Sequence, residues 1–195
     1  MSELYYTRTA KKLRPIEGLE NKKNKYNLGC GFDYRKGWIN VSNNRSYPGD
    51  VFFNLNKYPW TFIKTNSADH ITMNMIMEHL IYPVRKDGQP RINTLIYEVH
   101  RCLKKGGTWE FVVPHHSHKL AFQPDHETVF NEDIAGFVCM SPKDEACYFK
   151  EQLFELVSLE LIYSGGLVRF IPFKKYLRHF LRNMVIAIRV VVRKK

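Results

Sequence analysis

The stretch NKYNLGCGFDYRKGWINVSNN, residues 24–44, limits what this chain can fold into more than any other segment. Tyr26-Asn27-Leu28 reads as a short strand running into a glycine pair around Cys30, and Trp38 to Val41 reads as a second strand. Parallel neighbours ordinarily need a crossover of about a dozen or more residues, usually a helix. Only Phe32 to Val41 lie between Gly31 and Ser42, which leaves no room for one. The segment is therefore either a nucleotide-type cofactor site with a squeezed crossover or a glycine turn joining two strands.

The pattern that follows favours an α/β sheet. Val51-Phe52-Phe53, after the turn Tyr47-Pro48-Gly49-Asp50, is a third strand, and Ala68 to Met73 is a fourth, followed by a Met-rich helical stretch from Met75 to Ile81. In PRINTLIYEVHRCLKKGG, Ile92, Leu95, Ile96, Val99 and Leu103 fall at helical spacing. Gly106-Gly107 would stop that helix, with Lys104 and Lys105 where the helix dipole favours cations. Thr108 to Val113 is a fifth strand ending at Pro114. FELVSLELIYSGG reads as a helix end entering a strand, and MVIAIRVVVRK as a closing β-branched strand. Strands alternating with helices imply a mostly parallel sheet. Ligands of such sheets bind beyond the carboxyl ends of the strands. That rule puts Gly29-Cys30-Gly31, Ser42, Asn54, Asn74-Met75 and Pro114-His115 on one rim.

At 195 residues the chain suits one core, with a polar, basic arm over 1–24 and a single domain over 25–195. No apolar run approaches membrane-span length, and MSELYYTRTAKKLRP lacks the apolar stretch of a signal peptide. Cys30, Cys102, Cys139 and Cys147 show no paired spacing, so reduced thiols and a cytoplasmic location are expected.

Six segments, NLGCG, GWINV, DVFFNLNKYPW, SADHITMNMIMEHL, HRCLKKGG and VVPHHS, follow one another in an order and spacing that resembles class I S-adenosylmethionine-dependent methyltransferases. The likeness is nearest to the compact methyltransferase-11-like branch and covers roughly residues 26–130. It implies a Rossmann-like class I methyltransferase fold: a mostly parallel, seven-stranded sheet with an antiparallel last strand from Met184 to Val192. It also implies S-adenosylmethionine as cofactor, cradled by Leu28, Gly29, Cys30 and Gly31 and flanked by Ser42, Asn54, Leu55, Asn74 and Met75. Two positions depart from the family pattern. Ser42 stands where a ribose-binding Asp is usual, and Asn54 where an Asp near the adenine is usual. Asn43, Asn44 and Asn54 can still donate and accept hydrogen bonds. A scaffold that keeps the fold and has lost the cofactor is the alternative these two residues leave open.

Methyl transfer from a sulfonium needs alignment of nucleophile and methyl carbon, and a proton acceptor when the nucleophile is a hydroxyl or amine. His115 and His116, just beyond the fifth strand, are candidates because imidazole titrates near neutrality. His79 is the third, through Glu78-His79, which resembles the family's Glu-His pair and serves either to anchor the turn or to handle a proton. Pro124-Asp125-His126 matches the family's later His segment inexactly. His116 and His118 alternate and could form a metal set with Asp125 or His126. No Cys pair or HExxH spacing supports that, so no metal is expected.

The formal charge is +11, and Arg169 to Lys195 holds nine Lys or Arg with no acidic residue. In RFIPFKKYLRHFLRNM, Phe173, Tyr176, Leu177, Phe180, Leu181 and Met184 form one helical stripe with the cations mainly off it. The expected partners are a small-molecule, glycan or lipid-linked acceptor and an anionic membrane surface at which the protein is peripheral. Nucleic acid ranks lower, because aromatic residues are not interleaved on the charged face and no Asn-Pro-Pro-aromatic motif follows the fourth strand.

Overall fold

The computed structural model describes residues 23–82, 92–143, 149–165, 172–177 and 182–195. Their strands are β1 (Lys25–Leu28), β2 (Ile39–Ser42), β3 (Val51–Phe52), β4 (Ala68–Asn74), β5 (Leu103–Pro114), β6 (Phe154–Tyr163) and β7 (Val185–Lys194). They form one seven-stranded sheet in the order β3-β2-β1-β4-β5-β7-β6. β3, β2, β1, β4 and β5 run parallel, and β7 runs antiparallel to both β5 and β6. The helices are α1 (Ile92–Cys102), α2 (Asp133–Val138) and α3 (Lys174–Leu177). No helix among the described residues is long and apolar enough to cross a membrane. The expected arm lies outside the described residues apart from Lys23 and Asn24, and Asn24 is held by Asp69 and Ser67.

The two faces of the sheet differ because alternate residues of each strand point opposite ways. Tyr26, Leu28, Ile71, Met73, Trp109, Phe111, Ile188, Val190 and Val192 make one apolar face, which shares a core with Leu95, Ile96, Val99 and Cys102 of α1. Each of these fully buried aliphatic side chains contributes about 1.5–3 kcal/mol. The opposite face carries a polar row. Asn40 pairs in register with Asn27, Asn27 with Thr72, and Thr72 with Glu110.

Within that row Asn40 takes the place of the missing crossover helix. Its Oδ1 accepts from Arg35 N at 2.9 Å and from Asn27 Nδ2 at 3.2 Å. Its Nδ2 donates to the Arg35 and Trp38 carbonyls and to the Asp50 carboxylate. Asn27 Nδ2 also donates to Asp33 O at 2.6 Å. Side chains from two strands thus satisfy the loop backbone that a helix would have satisfied internally.

Four sequence expectations change. α1 ends at Cys102, and Leu103 to Gly107 already belong to β5. The helix carbonyls are capped from elsewhere: Lys194 Nζ donates to His100 O, Leu103 O and Asn66 Oδ1. Lys104 instead pairs with Asp69 at 3.0 Å. Residues 154–163 are strand throughout, held by antiparallel pairing to β7. The helix expected from Met75 to Ile81 is one 3-10 turn, Met77–His79, because Met75 takes a left-handed φ of 53° and Leu80 is extended. The basic stripe is also broken. Phe173 and Tyr176 are 76% and 66% exposed, whereas Met184 is buried; Phe180 and Leu181 lie outside the described residues.

Some of the basic end is neutralised across strands. Arg189 Nε meets Glu110 Oε1 at 2.6 Å, with Glu160 at 3.4 Å, and Arg193 meets Glu155 at 3.1 Å. Burial works to raise the Glu110 carboxyl, but the His70 ring and the Arg189 guanidinium outweigh it and hold it at about 2. That lies below its ordinary 4.5. The stability this pair contributes is therefore fully present above the ordinary carboxylate value and is lost as pH falls towards 2. In urea titrations between pH 6 and pH 3, wild-type stability should fall steeply. Glu110→Gln should be less stable at pH 6 and lose less on acidification; parallel curves for the two proteins would contradict this role.

Candidate functional site

A pocket of about 330 Å³ opens at the carboxyl ends of β1, β2 and β4. Four groups line it: the turn Gly29 to Asp33, then Ser42, Asn43 and Tyr47, then Asn74 to Ile76 with Glu78 and His79, and finally Gln123, Asp125 and His126. The glycine turn is fixed in its shape. Gly29 and Gly31 have φ of 69° and 49°, in the left-handed region that disfavours side chains. A Cβ on Gly29 would overlap the Ile76 side chain, whereas one on Gly31 would meet nothing within 4 Å. Gly29 is thus fixed by packing as well as by φ. Cys30 N donates to Val41 O at 2.9 Å, joining the turn to β2, and its thiol donates to Pro48 O at 3.2 Å. Burial raises that thiol, so it is not poised as a nucleophile.

Of the residues named from sequence for the cofactor, Gly29, Cys30, Gly31, Ser42, Asn74 and Met75 share this pocket. Three others lie apart from its lining. Leu28 is wholly buried in the core, and Leu55 is buried with its carbonyl accepting from Trp60 Nε1. Asn54 Oδ1 closes a local turn by accepting from Asn56 N at 3.0 Å. The Ser42 hydroxyl is already engaged: it donates to Asn44 O at 3.0 Å and accepts from Asn44 N at 3.1 Å. Asn43 is the amide beside it that lines the pocket.

The candidate histidines separate into two places. His79 lines the pocket, and its Nδ1 lies 3.1 Å from Asp125 O and 3.3 Å from the Asp125 carboxylate. His115 and His116 are absent from the pocket lining. His115 is buried, with Nδ1 at 2.7 Å from Ser117 Oγ and Nε2 at 3.0 Å from Glu132. His116 stacks against it at 4.4 Å between ring centroids. The sequence pairing of His116 with His118 does not form a metal set. His118 Nδ1 accepts from Leu120 N and caps the 3-10 turn Lys119–Phe122. The clusters that do meet among the described residues are Glu78, His79 and His126, and His115, His116 and Glu132.

Glu78 is the most unusual group in the pocket. It is 1% exposed and its Oε2 has no hydrogen-bond partner. Burial first, and then the Asp125 charge, push its carboxyl up to about 8. His126 Nδ1 is likewise buried and without a partner, and burial followed by the neighbouring His79 lowers that ring. Sequence reading did not find Phe32, Asp33, Tyr47, Ile76 or Gln123. They stand in loops without periodicity; only the nearness of Asp33 to the glycines and of Gln123 to Pro124-Asp125-His126 offered a clue.

No protein-family model matches the sequence, and no curated relative matches it. Solved structures do match in shape. A SAM-dependent methyltransferase from Archaeoglobus fulgidus superposes with a TM-score of 0.67 at 13% identity, covering 100% of this chain and 95% of that one. A geranyl diphosphate methyltransferase in complex with SAM gives 0.58 at 9% identity, covering 100% and 87%. The [4+2]-cyclase SpnF gives 0.57 at 12% identity, covering 99% and 80%. With its sheet order and single antiparallel strand β7, the chain has the Rossmann-like fold of the class I S-adenosylmethionine-dependent methyltransferases.

Proposed function

We propose that the protein binds S-adenosylmethionine in this pocket and transfers its methyl group to an oxygen or nitrogen of an acceptor. The observation that carries the reading is the glycine cradle at the carboxyl end of β1, opening on a pocket with three carboxylates, Asp33, Glu78 and Asp125. A side chain at Gly29 would close the cradle, and the carboxylates suit a ligand carrying sulfonium and ammonium charges. The residues present therefore fit the cofactor. Gly29 to Gly31 would hold its amino-acid end, Asn74 and Met75 would lie beside it, and Asn43 would take the ribose contact that the occupied Ser42 hydroxyl leaves open. The cofactor supplies an electrophilic methyl group; the protein's part is to align the acceptor, exclude water and receive a proton. His79 is placed for that last task, since its Nδ1 faces Asp125 and its Nε2 remains available. His115, with both ring nitrogens engaged, serves to position the loop after β5.

The acceptor classes we propose are small molecules, glycans or lipid-linked compounds. The exposed Phe173 and Tyr176, beside a basic end, support delivery of an acceptor from an anionic membrane surface. A second reading, a scaffold that binds cofactor weakly, is favoured by Asn54 and Leu55 lying outside the pocket lining. Calorimetric titration with S-adenosylhomocysteine separates the two. Binding at one equivalent should stabilise the fold by about 2.7 kcal/mol at a hundredfold excess over Kd and raise Tm by several degrees. Absence of both heat and Tm shift at saturating ligand would refute the methyltransferase reading.

Ser42→Asp tests the second strand. An Asp can still accept from Asn44 N with one oxygen and offer the other to the ribose, a charge-assisted bond. The variant should bind S-adenosylhomocysteine about tenfold tighter, roughly 1.4 kcal/mol. Unchanged or weaker binding would mean that the ribose does not lie at the end of β2.

A further inference from the structure

We infer that Glu78, His79 and His126 form a binding site for a divalent transition-metal ion in the wall of the pocket. The three come from two separate segments, the turn after β4 and the loop after β5, and their donor atoms all lie within 4.8 Å of one another. The two imidazoles meet edge to face with centroids 4.6 Å apart. Glu78 Oε2 and His126 Nδ1 are both buried and both lack a partner. Native proteins seldom leave two such groups unsatisfied side by side, because each costs about 1–3 kcal/mol. A shared cation satisfies both at once.

The surroundings fit that ligand. The chain carries a net charge of +11, yet the pocket lining has three carboxylates and no Lys or Arg. The Asp125 backbone and carboxylate oxygens fix the proton of His79 on Nδ1, which leaves the Nε2 lone pair as donor. A carboxylate behind an imidazole is the usual way of orienting a metal-binding His. Two imidazoles and one carboxylate suit zinc, cobalt, nickel or iron better than magnesium or calcium. Donors bonded to one ion lie roughly 3.4 Å apart in tetrahedral geometry. The set closes to that spacing by rotation of the His79 ring, whose side chain is 36% exposed. The cluster of His115, His116 and Glu132 is less suited, because both His115 nitrogens already hold hydrogen bonds.

Three protein ligands leave positions open for a water or for the acceptor oxygen. Resting on the methyl-transfer reading, the ion would bind the acceptor through that oxygen and ease loss of its proton, which points to hydroxyl or vicinal-diol acceptors. The binding itself does not depend on that reading. The experiment is titration of chelator-treated protein with Co(II) in the absence of any cofactor, followed by calorimetry and visible absorption. One Co(II) per chain is expected, with His126→Ala, His79→Ala and Glu78→Gln each weakening binding at least tenfold and Glu132→Gln leaving it unchanged. Circular dichroism of each variant controls for folding. No Co(II) uptake by the wild type would overturn the inference. So would wild-type affinity in folded His79→Ala and His126→Ala, or loss of binding in Glu132→Gln. Binding of S-adenosylhomocysteine without Co(II) uptake would sink the metal site alone, and Co(II) uptake without S-adenosylhomocysteine binding would sink the methyl-transfer reading alone.

Discussion

The site depends on one side chain, Asn40. It sits in the middle of β2 with no exposed surface and uses both ends of its amide on the segment that connects β1 to β2. In a longer α/β protein a crossover helix would bond its own backbone and pack on the sheet. Here the crossover is too short for that, and the polar row of Asn40, Asn27, Thr72 and Glu110 faces the space a helix would cover. Asn27 and Asn40 satisfy the loop from below, and Asp50 anchors Asn40 in turn through its side chain and its backbone N–H. The glycine turn inherits its position from this arrangement, since Cys30 N bonds Val41 O one residue beyond Asn40.

The same division of the sheet explains where chemistry can occur. The apolar face is filled by α1 and the core around Trp60, Trp109 and Phe111, so it has no room for a ligand. The polar face is committed to internal pairs such as Glu110 with Arg189. What remains is the rim, where parallel strands end together and loops of different lengths leave a concavity. The loop after β5 closes one side of it, and Glu127 N bonding to Glu78 O holds that loop to the turn after β4. This junction brings Glu78, His79 and His126 within reach of one another although 48 residues or more separate the last from the others in sequence.

Much of the fold was legible because its strands are short apolar runs between glycine or proline turns. The rim positions Gly29, Ser42 and Asn74 followed from where those runs end. What the sequence could not show were partners distant along the chain. Lys194 caps α1 from the last strand, so the helix ends earlier than its Gly106-Gly107 signal suggested. Glu110, Glu155 and Glu160 reach the basic end only through strand pairing, so a run without acids is not a run without counter-ions. Likewise, the alternation of His116 and His118 suggested a shared face, but the chain leaves the strand at Pro114 and that periodicity no longer applies.

The account stands or falls on whether the amide at position 40 builds the ligand site as well as supporting the fold. The direct measurement compares wild type and Asn40→Ala for urea stability and for S-adenosylhomocysteine affinity at a temperature where both are folded. Losing the bonds to Arg35, Trp38, Asn27 and Asp50 should cost about 2–4 kcal/mol, since several buried groups lose a partner. Affinity should fall at least tenfold, because the glycine turn is no longer held. A folded Asn40→Ala that binds S-adenosylhomocysteine as tightly as the wild type would contradict it.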